Sequence, residues 1–186
     1  MKIGLSILVP IYNEKESVKL TIEEIINFSE TTSDSFEIIL INDGSTDNTE
    51  EILLKIKNDN KQVDIIIINN NGNFGYGYSL KKGTQAASFN YIAITDADGT
   101  YPNNRIMEFY NMVIQNDLDM LVGARIGKNT NIPFIRKPAK WLLNIIANYL
   151  TGEKIPDLNS GFRIIKKEIV KKFIHILPDG FSITTI

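Results

Sequence analysis

Two carboxylates stand directly behind a strongly apolar segment of this 186-residue chain, in Asp96-Ala97-Asp98 after Tyr91 to Thr95. Residues i and i+2 of a β-strand project from the same face, so a strand that continued to Asp98 would present both carboxylates together. Open α/β sheets bind ligands at the carboxyl ends of their strands. Paired carboxylate oxygens suit Mg²⁺ or Mn²⁺ carrying a diphosphate. The motif therefore predicts a metal and diphosphate site at one edge of a sheet.

The ends of two earlier apolar segments carry side chains that suit a nucleotide. The segment Ile3 to Val9 is followed by Pro10, which lacks an N–H and is expected to stop the strand. Tyr12 then offers a flat ring that could pack on a base. The segment Phe36 to Ile41 is followed by Asp43, whose carboxylate could accept a hydrogen bond from a base or could only form a turn. Both interpretations of Asp43 stay open at the level of the sequence.

A glycine-rich segment, Asn73 to Gly83, follows the third apolar segment, Val63 to Ile68. Its glycines allow the backbone to approach a ligand closely. Its spacing matches neither a dinucleotide fingerprint nor a phosphate-binding P-loop, which disfavours a dehydrogenase. Lys81 could contact a phosphate or a base edge, or could lie on a solvated helix face.

The apolar segments predict the fold that positions these side chains. Their apolar character is continuous rather than alternating, which is typical of strands buried on both faces of a parallel sheet. Helical patterns separate them, and Glu14 suits a first helical turn because an acid there favours the helix dipole. The alternation predicts an α/β fold with a doubly wound, mostly parallel central sheet flanked by helices. The expected helices are Lys15 to Phe28, the segment after Ser45, Ser79 to Ser88, Ile106 to Asn116 and Lys140 to Leu150, with a further strand at Leu118 to Ala124.

The composition excludes several classes of function. A formal net charge of −2 argues against a general nucleic-acid binder. The absence of cysteine excludes a thiolate nucleophile and a zinc–thiolate site, and His175 is the only histidine. The sequence has no signal-peptide pattern at its start and no apolar run of the roughly 18–20 residues that span a bilayer.

Five segments of the chain together resemble the inverting family 2 glycosyltransferases of the GT-A fold, and most of all the polyprenyl-phosphate hexosyltransferases such as dolichol-phosphate mannosyltransferase. The resemblance covers nearly the whole chain in order and implies one catalytic domain over residues 1–186. Residues 1–100 would form a Rossmann-like nucleotide-sugar half, and residues 101–186 an acceptor half that we expect to continue beyond this sequence. The segments are Val9-Pro10-Ile11-Tyr12-Asn13-Glu14, Asn42-Asp43-Gly44-Ser45-Thr46-Asp47, Asp96-Ala97-Asp98, Val122-Gly123-Ala124-Arg125 and Asn159-Ser160-Gly161-Phe162-Arg163.

The resemblance also implies roles for individual residues. Asp98 and Asp96 would hold the metal and its diphosphate, and Arg125 and Arg163 would face anionic groups of donor or acceptor. Thr100 stands where related enzymes often carry a glutamine near the metal, so we expect no strong metal ligand there. With Lys81 added from the glycine-rich segment, the predicted nucleotide-binding set is Pro10, Tyr12, Glu14, Asp43, Lys81, Asp96 and Ala97.

The activity implied is transfer of a hexose, with inversion, from a UDP- or GDP-sugar, assisted by Mg²⁺ or Mn²⁺. A polyprenyl-phosphate acceptor is already an anion and needs no general base, whereas a sugar hydroxyl in polysaccharide synthesis would need one, for which Asp157 is the best candidate. A polyprenyl-phosphate acceptor would place the full-length protein at the cytoplasmic face of a membrane. The alternatives are a sugar-nucleotide pyrophosphorylase, whose glycine-rich N-terminal signature is missing, and a non-catalytic sugar-nucleotide-binding domain.

Overall fold

A computed structural model describes residues 2–29, 35–124, 148–149, 152, 157 and 160–180 of the chain. The strands in these ranges are β1 Lys2–Ile11, β2 Phe36–Asn42, β3 Ile65–Asn69, β4 Phe89–Ile94, β5 Met120–Val122 and β6 Arg163–Lys166. The helices are α1 Val18–Ser29, α2 Thr49–Asp59, α3 Tyr76–Ala86, α4 Ile106–Gln115 and α5 Lys167–Phe173, with a 3₁₀ turn at Asn103–Arg105.

The described strands form one sheet in the order β3-β2-β1-β4-β6-β5. Strands β1, β2, β3 and β4 run parallel to one another, and β6 pairs antiparallel with both β4 and β5. The predicted α/β class and the mostly parallel central sheet are confirmed. Since β1 is paired on both sides, the chain segments that leave β1, β2 and β4 all emerge at the same edge.

Helices cover both faces of the sheet, which explains the continuous apolar segments. Alternate residues of a strand point to opposite faces. In β1, Leu5, Ile7 and Val9 therefore pack into one buried cluster with residues of α1, α2 and α4. Leu8 points the other way and packs into a second cluster with Leu80 of α3, against which residues of α5 also lie.

Strand β4 ends at Ile94, and Asp96 and Asp98 lie in the turn that follows it. The supposition that the strand runs on to Asp98, from which the pairing of the two carboxylates was argued, is therefore wrong. The turn forms because the Asp98 carboxylate accepts hydrogen bonds from Thr100 and Gly99 adopts a positive φ of 72°. Such side-chain-to-backbone bonds are what make aspartate and glycine favourable in turns.

Strand β1 runs through Pro10 to Ile11, so the expectation that Pro10 ends the strand is also wrong. The Leu8 carbonyl accepts a hydrogen bond from Thr95 N at 3.2 Å, which shows that Leu8 faces β4. Backbone groups two residues apart in a strand face the same neighbour. Pro10 therefore turns its nitrogen to the side where β4 has already ended, and its missing N–H interrupts no ladder.

Other element boundaries differ from the expected ones by a few residues. Helix α3 begins at Tyr76 instead of Ser79, and α1 begins at Val18 after a turn at residues 15–17. The expected helix Lys140 to Leu150, apart from residues 148–149, lies outside the described residues. Among the residues that the structure describes, no helix has the length and apolar composition needed to cross a bilayer.

The contact between α3 and the sheet leads to a test of packing. A Cβ atom at Gly83 would lie 2.9 Å from Leu8 side-chain atoms and 3.0 Å from Ile41 Cδ1. We expect Gly83→Val to lower the free energy of unfolding by about 1–3 kcal/mol, the usual cost of overpacking. Urea denaturation would measure it, with Gln85→Val on the exposed side of the same helix as the control. A loss no larger than that of the control would contradict the close packing.

Candidate functional site

A cavity of about 290 Å³ lies at the carboxyl ends of the parallel strands. We call it the strand-end cavity. Every residue that was predicted to bind the nucleotide or the metal, except Lys81, lines it. These residues come from three separate parts of the chain, at and after the ends of β1, β2 and β4. The lining residues are Pro10, Ile11, Tyr12, Glu14, Asp43, Asn73, Gly75, Tyr76, Ser79, Asp96, Ala97 and Asp98.

Asp43 is buried at the base of this cavity and binds the loop that leads into α3. We call residues 70–76, which are this loop and the first residue of α3, the glycine-rich loop. Its Oδ1 accepts hydrogen bonds from Asn70 Nδ2 at 2.8 Å and from Phe74 N at 3.1 Å, and its Oδ2 accepts one from Gly75 N at 2.8 Å. A carboxylate has about four acceptor positions, so a further donor from a base could still be accommodated. Asp43 is therefore more than a turn former, because it anchors a loop 30 residues further along the chain.

Tyr12 reaches the cavity on a loop that is bonded to the loop after β2. Tyr12 is 43% exposed and lines the cavity, so part of its side chain is accessible to a ligand. The next residue, Asn13, has a φ of 55° and accepts a hydrogen bond from Thr46 N through Oδ1 at 2.8 Å. Glu14 N donates to Thr49 Oγ1 at 3.1 Å. These bonds hold the two loops together and keep Tyr12 at the cavity that Asp43 also lines.

Asp96 is held between the glycine-rich loop and the segment before β6. The Tyr76 hydroxyl donates to Asp96 Oδ1 at 3.0 Å. Burial and the neighbouring Asp96 charge raise the pKa of Tyr76 well above its usual value, so the phenol remains a neutral donor. On the other side, a Cβ atom at Gly161 would lie 3.0 Å from Asp96 Oδ2. Gly161 N in turn donates to the Tyr101 hydroxyl at 2.7 Å.

Asp98 is exposed and turns its carboxylate toward Thr100 and the cavity. Its Oδ1 accepts Thr100 N at 2.9 Å and the Thr100 hydroxyl at 2.7 Å, whereas Oδ2 makes no hydrogen bond to the described residues. The Thr100 hydroxyl thus orients the Asp98 carboxylate.

The two carboxylates of Asp96 and Asp98 fit a divalent ion that also binds phosphate. No group of three or more His, Cys, Asp or Glu residues that could hold a metal occurs in the described part of the chain. Mg²⁺ is commonly bound through only one or two carboxylates, with substrate phosphates and water as the remaining ligands. The oxygens present match that pattern better than a site built by the protein alone.

Arg163 and Asp157 are buried side chains on the β6 side of the site. The Arg163 guanidinium donates to the Ser160 carbonyl, from Nε at 3.1 Å and also from Nη2. Burial lowers the pKa of Arg163, and Asp157 and Asp96 are among the neighbours whose charges oppose that shift. Neither Arg163 nor Asp157 lines the strand-end cavity, although both belong to the same group of interacting charges as Asp96.

Lys81, the remaining predicted nucleotide-binding residue, is not brought to the strand-end cavity. Lys81 forms an ion pair with Asp179, Nζ to Oδ1 at 2.7 Å, and lines a second, mainly apolar cavity of about 420 Å³ to which Arg163 also contributes. Arg125 lies outside the described residues.

The sequence analysis missed Tyr76 and Tyr101, which contact the functional groups directly. Tyr76 follows Gly75 at the start of α3, and Tyr101 stacks on Phe162 with ring centroids 5.6 Å apart. Placing the start of α3 at Gly75 would have put Tyr76 at the sheet edge. No pattern in the sequence connects Tyr101 with Gly161, which is 60 residues away.

This arrangement lies within residues 6–174, which match the family model described as "Glycosyl transferase family 2". The chain therefore belongs to glycosyltransferase family 2, and the predicted family is confirmed. It is 29% identical, over 171 residues, to the undecaprenyl-phosphate 4-deoxy-4-formamido-L-arabinose transferases of Yersinia pestis (strain Pestoides F) and of Yersinia pseudotuberculosis serotype O:3. The match covers 92% of this chain and 51% of each relative, so the chain spans about half their length.

Two solved structures share the fold at lower sequence identity. Glucosyl-3-phosphoglycerate synthase of Mycobacterium tuberculosis, in complex with UDP, superposes with a TM-score of 0.70 and 17% identity over 98% of this chain and 62% of that one. Residues 1–349 of S. aureus TarS superpose with a TM-score of 0.66 and 19% identity over 95% of this chain and 51% of that one. These similarities confirm the predicted GT-A fold.

The contacts of Asp43 lead to a test that needs no ligand. We expect Asp43→Ala to release the Phe74 and Gly75 amides, because each loses an acceptor that carries charge. Such bonds contribute about 1.5–3 kcal/mol, so amide exchange at both positions should accelerate roughly tenfold or more. Hydrogen exchange read by NMR or mass spectrometry would measure it, with Asp47→Ala as the control. Unchanged exchange at residues 74 and 75 would show that Asp43 does not anchor the loop.

Proposed function

We propose that this chain is the catalytic domain of a metal-dependent, inverting glycosyltransferase that takes a hexose from a nucleoside-diphosphate sugar. The observation that carries the proposal is the strand-end cavity, where Tyr12, Asp43, Asp96 and Asp98 meet although they come from three different loops. Residues 1–100 would bind the donor and residues 101–186 would contribute the acceptor side. Membership of family 2 supports the reaction class and the inversion.

The nucleotide would bind with its base between Tyr12 and Asp43. The partly exposed aromatic side chain of Tyr12 would suit stacking on a base, and the remaining acceptor positions of Asp43 would suit a base N–H. Pro10, Glu14 and Ala97 would line the same space, while Lys81 would have to leave its ion pair with Asp179 to contribute. We favour a uridine nucleotide over a guanosine nucleotide, since the structure of glucosyl-3-phosphoglycerate synthase contains UDP and a structure of TarS contains UDP-GlcNAc.

Asp98 and Asp96 would hold the divalent ion, for which Mn²⁺ is named in the glucosyl-3-phosphoglycerate synthase complexes and Mg²⁺ is the chemical alternative. When bound, such an ion neutralises the leaving diphosphate as a Lewis acid. The protein's own contribution is orientation. Thr100 fixes one oxygen of Asp98, and Tyr76 fixes one oxygen of Asp96.

The acceptor that we propose is a polyprenyl phosphate, as named for the curated relatives. Such an acceptor is already anionic and needs no proton removed. Arg163, and Arg125 by family resemblance, would face its phosphate. With a lipid acceptor, the full-length protein would work at the cytoplasmic face of a membrane, where soluble nucleotide sugars are available.

A second candidate acceptor, a sugar hydroxyl, is favoured by the position of Asp157. This carboxylate is only 6% exposed, and its charge acts on that of Arg163. A buried carboxylate on the β6 side of the site would be suited to remove a proton from an acceptor bound there, and it reduces the positive charge that Arg163 could offer to a phosphate.

The metal site leads to the first test of this function. We expect Asp98→Ala to remove most of the gain in UDP affinity that Mn²⁺ provides, a loss of at least about tenfold, since even indirect partners of a metal matter that much. Isothermal titration calorimetry with UDP, in Mn²⁺ and in EDTA, measures it. The exposed helix acid Glu51, replaced by alanine, is the control. Full Mn²⁺-dependent affinity in a folded Asp98→Ala protein would contradict the metal role.

Hydrolysis of the donor separates an enzyme from a binding domain. Wild-type protein with Mn²⁺ should slowly release UDP from a UDP-sugar, and the Asp98→Ala variant should not. Tight binding of the donor without transfer or hydrolysis under any metal condition would favour the non-catalytic alternative.

The acceptor leads to a second test, made with full-length protein, a radiolabelled donor and membranes. We expect Arg163→Lys to reduce transfer to polyprenyl phosphate about tenfold, because lysine cannot reproduce the planar fork of arginine, while UDP affinity changes little. Arg105→Lys, at an exposed arginine, is the control. If the wild-type enzyme ignores polyprenyl phosphate and glycosylates a soluble sugar hydroxyl, the lipid assignment is wrong and Asp157 becomes the expected general base.

A further inference from the structure

Tyr76 joins the glycine-rich loop to the carboxylate pair. It is the first residue of α3, it lines the strand-end cavity, and its hydroxyl donates to Asp96 Oδ1 at 3.0 Å. The two residues are 20 positions apart and belong to different loops. The bond therefore links the loop that Asp43 anchors to the turn that carries Asp96 and Asp98.

The backbone on both sides of Tyr76 is fixed by other parts of the chain. On one side, Gly75 N donates to Asp43 Oδ2, and Gly75 has a φ of 102° that favours glycine. On the other side, Gly77 N donates to the Gly180 carbonyl at 3.2 Å and Tyr78 N to the Asp179 carbonyl at 2.9 Å. Since the flanking residues are held, the direction in which the Tyr76 ring projects is set before any ligand arrives.

Asp96 has little room to turn away from this donor. A Cβ atom at Gly161 would lie 3.0 and 3.1 Å from the two carboxylate oxygens, so the backbone of Gly161 lies directly against them. The Tyr76 hydroxyl contacts Oδ1 from the other loop. A carboxylate that is held from two sides keeps a fixed orientation, which is what a site for an ion and a diphosphate requires.

We propose that Tyr76 is a positioning residue that orients Asp96 for the divalent ion and the donor diphosphate. The inference rests on the proposed function, and it adds to the metal and nucleotide site a residue that the sequence analysis did not predict. It also makes the glycine-rich loop a physical link between Asp43, where the base would bind, and Asp96, where the diphosphate would bind.

The competing explanation is that Tyr76 only packs. Its ring lies against the apolar cluster under α3, so loss of the whole side chain would disturb the fold as well as the site. Tyr76→Phe avoids this difficulty because it keeps the ring and removes only the hydroxyl. Tyr78→Phe is the matched control. Tyr78 lies two residues further along in the first turn of α3, its ring centroid is 4.8 Å from that of Phe74, and its hydroxyl makes no hydrogen bond within the described ranges.

The experiment measures UDP and GDP affinity of the full-length protein by calorimetry, once with Mn²⁺ and once with EDTA. The ratio of the two affinities gives the metal-dependent factor. For Tyr76→Phe we expect this factor to fall about tenfold, as is typical when a partner that orients a metal ligand is lost, while affinity in EDTA stays within about twofold. Tyr78→Phe should keep both values.

A second comparison tests whether Tyr76 acts through Asp96. In an Asp96→Asn background, which retains Asp98, adding Tyr76→Phe should produce no further loss, because residues that act through one another are not additive. A further loss of similar size there would show that Tyr76 acts elsewhere.

Three further results would overturn the inference, and each can be distinguished from the others. An unchanged metal-dependent factor in Tyr76→Phe removes the positioning role while leaving the proposed function intact. Equal losses in Mn²⁺ and in EDTA, with a lowered thermal midpoint, assign the hydroxyl to the fold alone. Failure of the wild-type protein to bind either nucleotide in Mn²⁺ rejects the proposed function, and the inference with it.

Discussion

The parallel pairing of β1 with both β2 and β4 is the constraint on which the candidate site depends. Because the three strands run in the same direction, the loops that follow them leave the sheet at one edge. The pairing is stabilised by side chains buried on both faces of the sheet, such as Leu8 on one and Ile7 on the other. No single loop carries all the side chains of the proposed nucleotide site, and the sheet brings the loops after β1, β2 and β4 to the same edge.

Within that frame, two of the acidic side chains are oriented by neutral donors. Asp43 accepts from an amide side chain and two backbone N–H groups, and Asp98 accepts from a backbone N–H and a hydroxyl. Neutral donors fix the direction of a carboxylate without cancelling its charge. Asp96 combines a neutral phenol with a nearby guanidinium, that of Arg163, so its charge is partly balanced.

The sequence predicts the sheet and most of the cavity because both follow from local patterns. Continuous apolar segments indicate strands buried on both faces, and the polar residue after each strand must lie at the sheet edge. Pro10 was wrongly expected to end its strand because the outcome depends on which neighbour its backbone nitrogen faces, and periodicity does not contain that information. Tyr76 was missed for a related reason, since its partner Asp96 is close only after the sheet has formed. Strand β6 is four residues long and antiparallel, which gives it little signal of its own.

The turn at residues 178–180 has a consequence for how this fold can treat a phosphate. The start of a helix commonly binds anions through its unpaired N–H groups. Here the amides of residues 74 and 75 are taken by Asp43, and those of Gly77 and Tyr78 by the carbonyls of Gly180 and Asp179. All four amide groups, at and just before the start of α3, therefore donate to acceptors within the protein. These four amides are therefore not available to a diphosphate, and a bound cation or other groups of the protein would have to balance its negative charges.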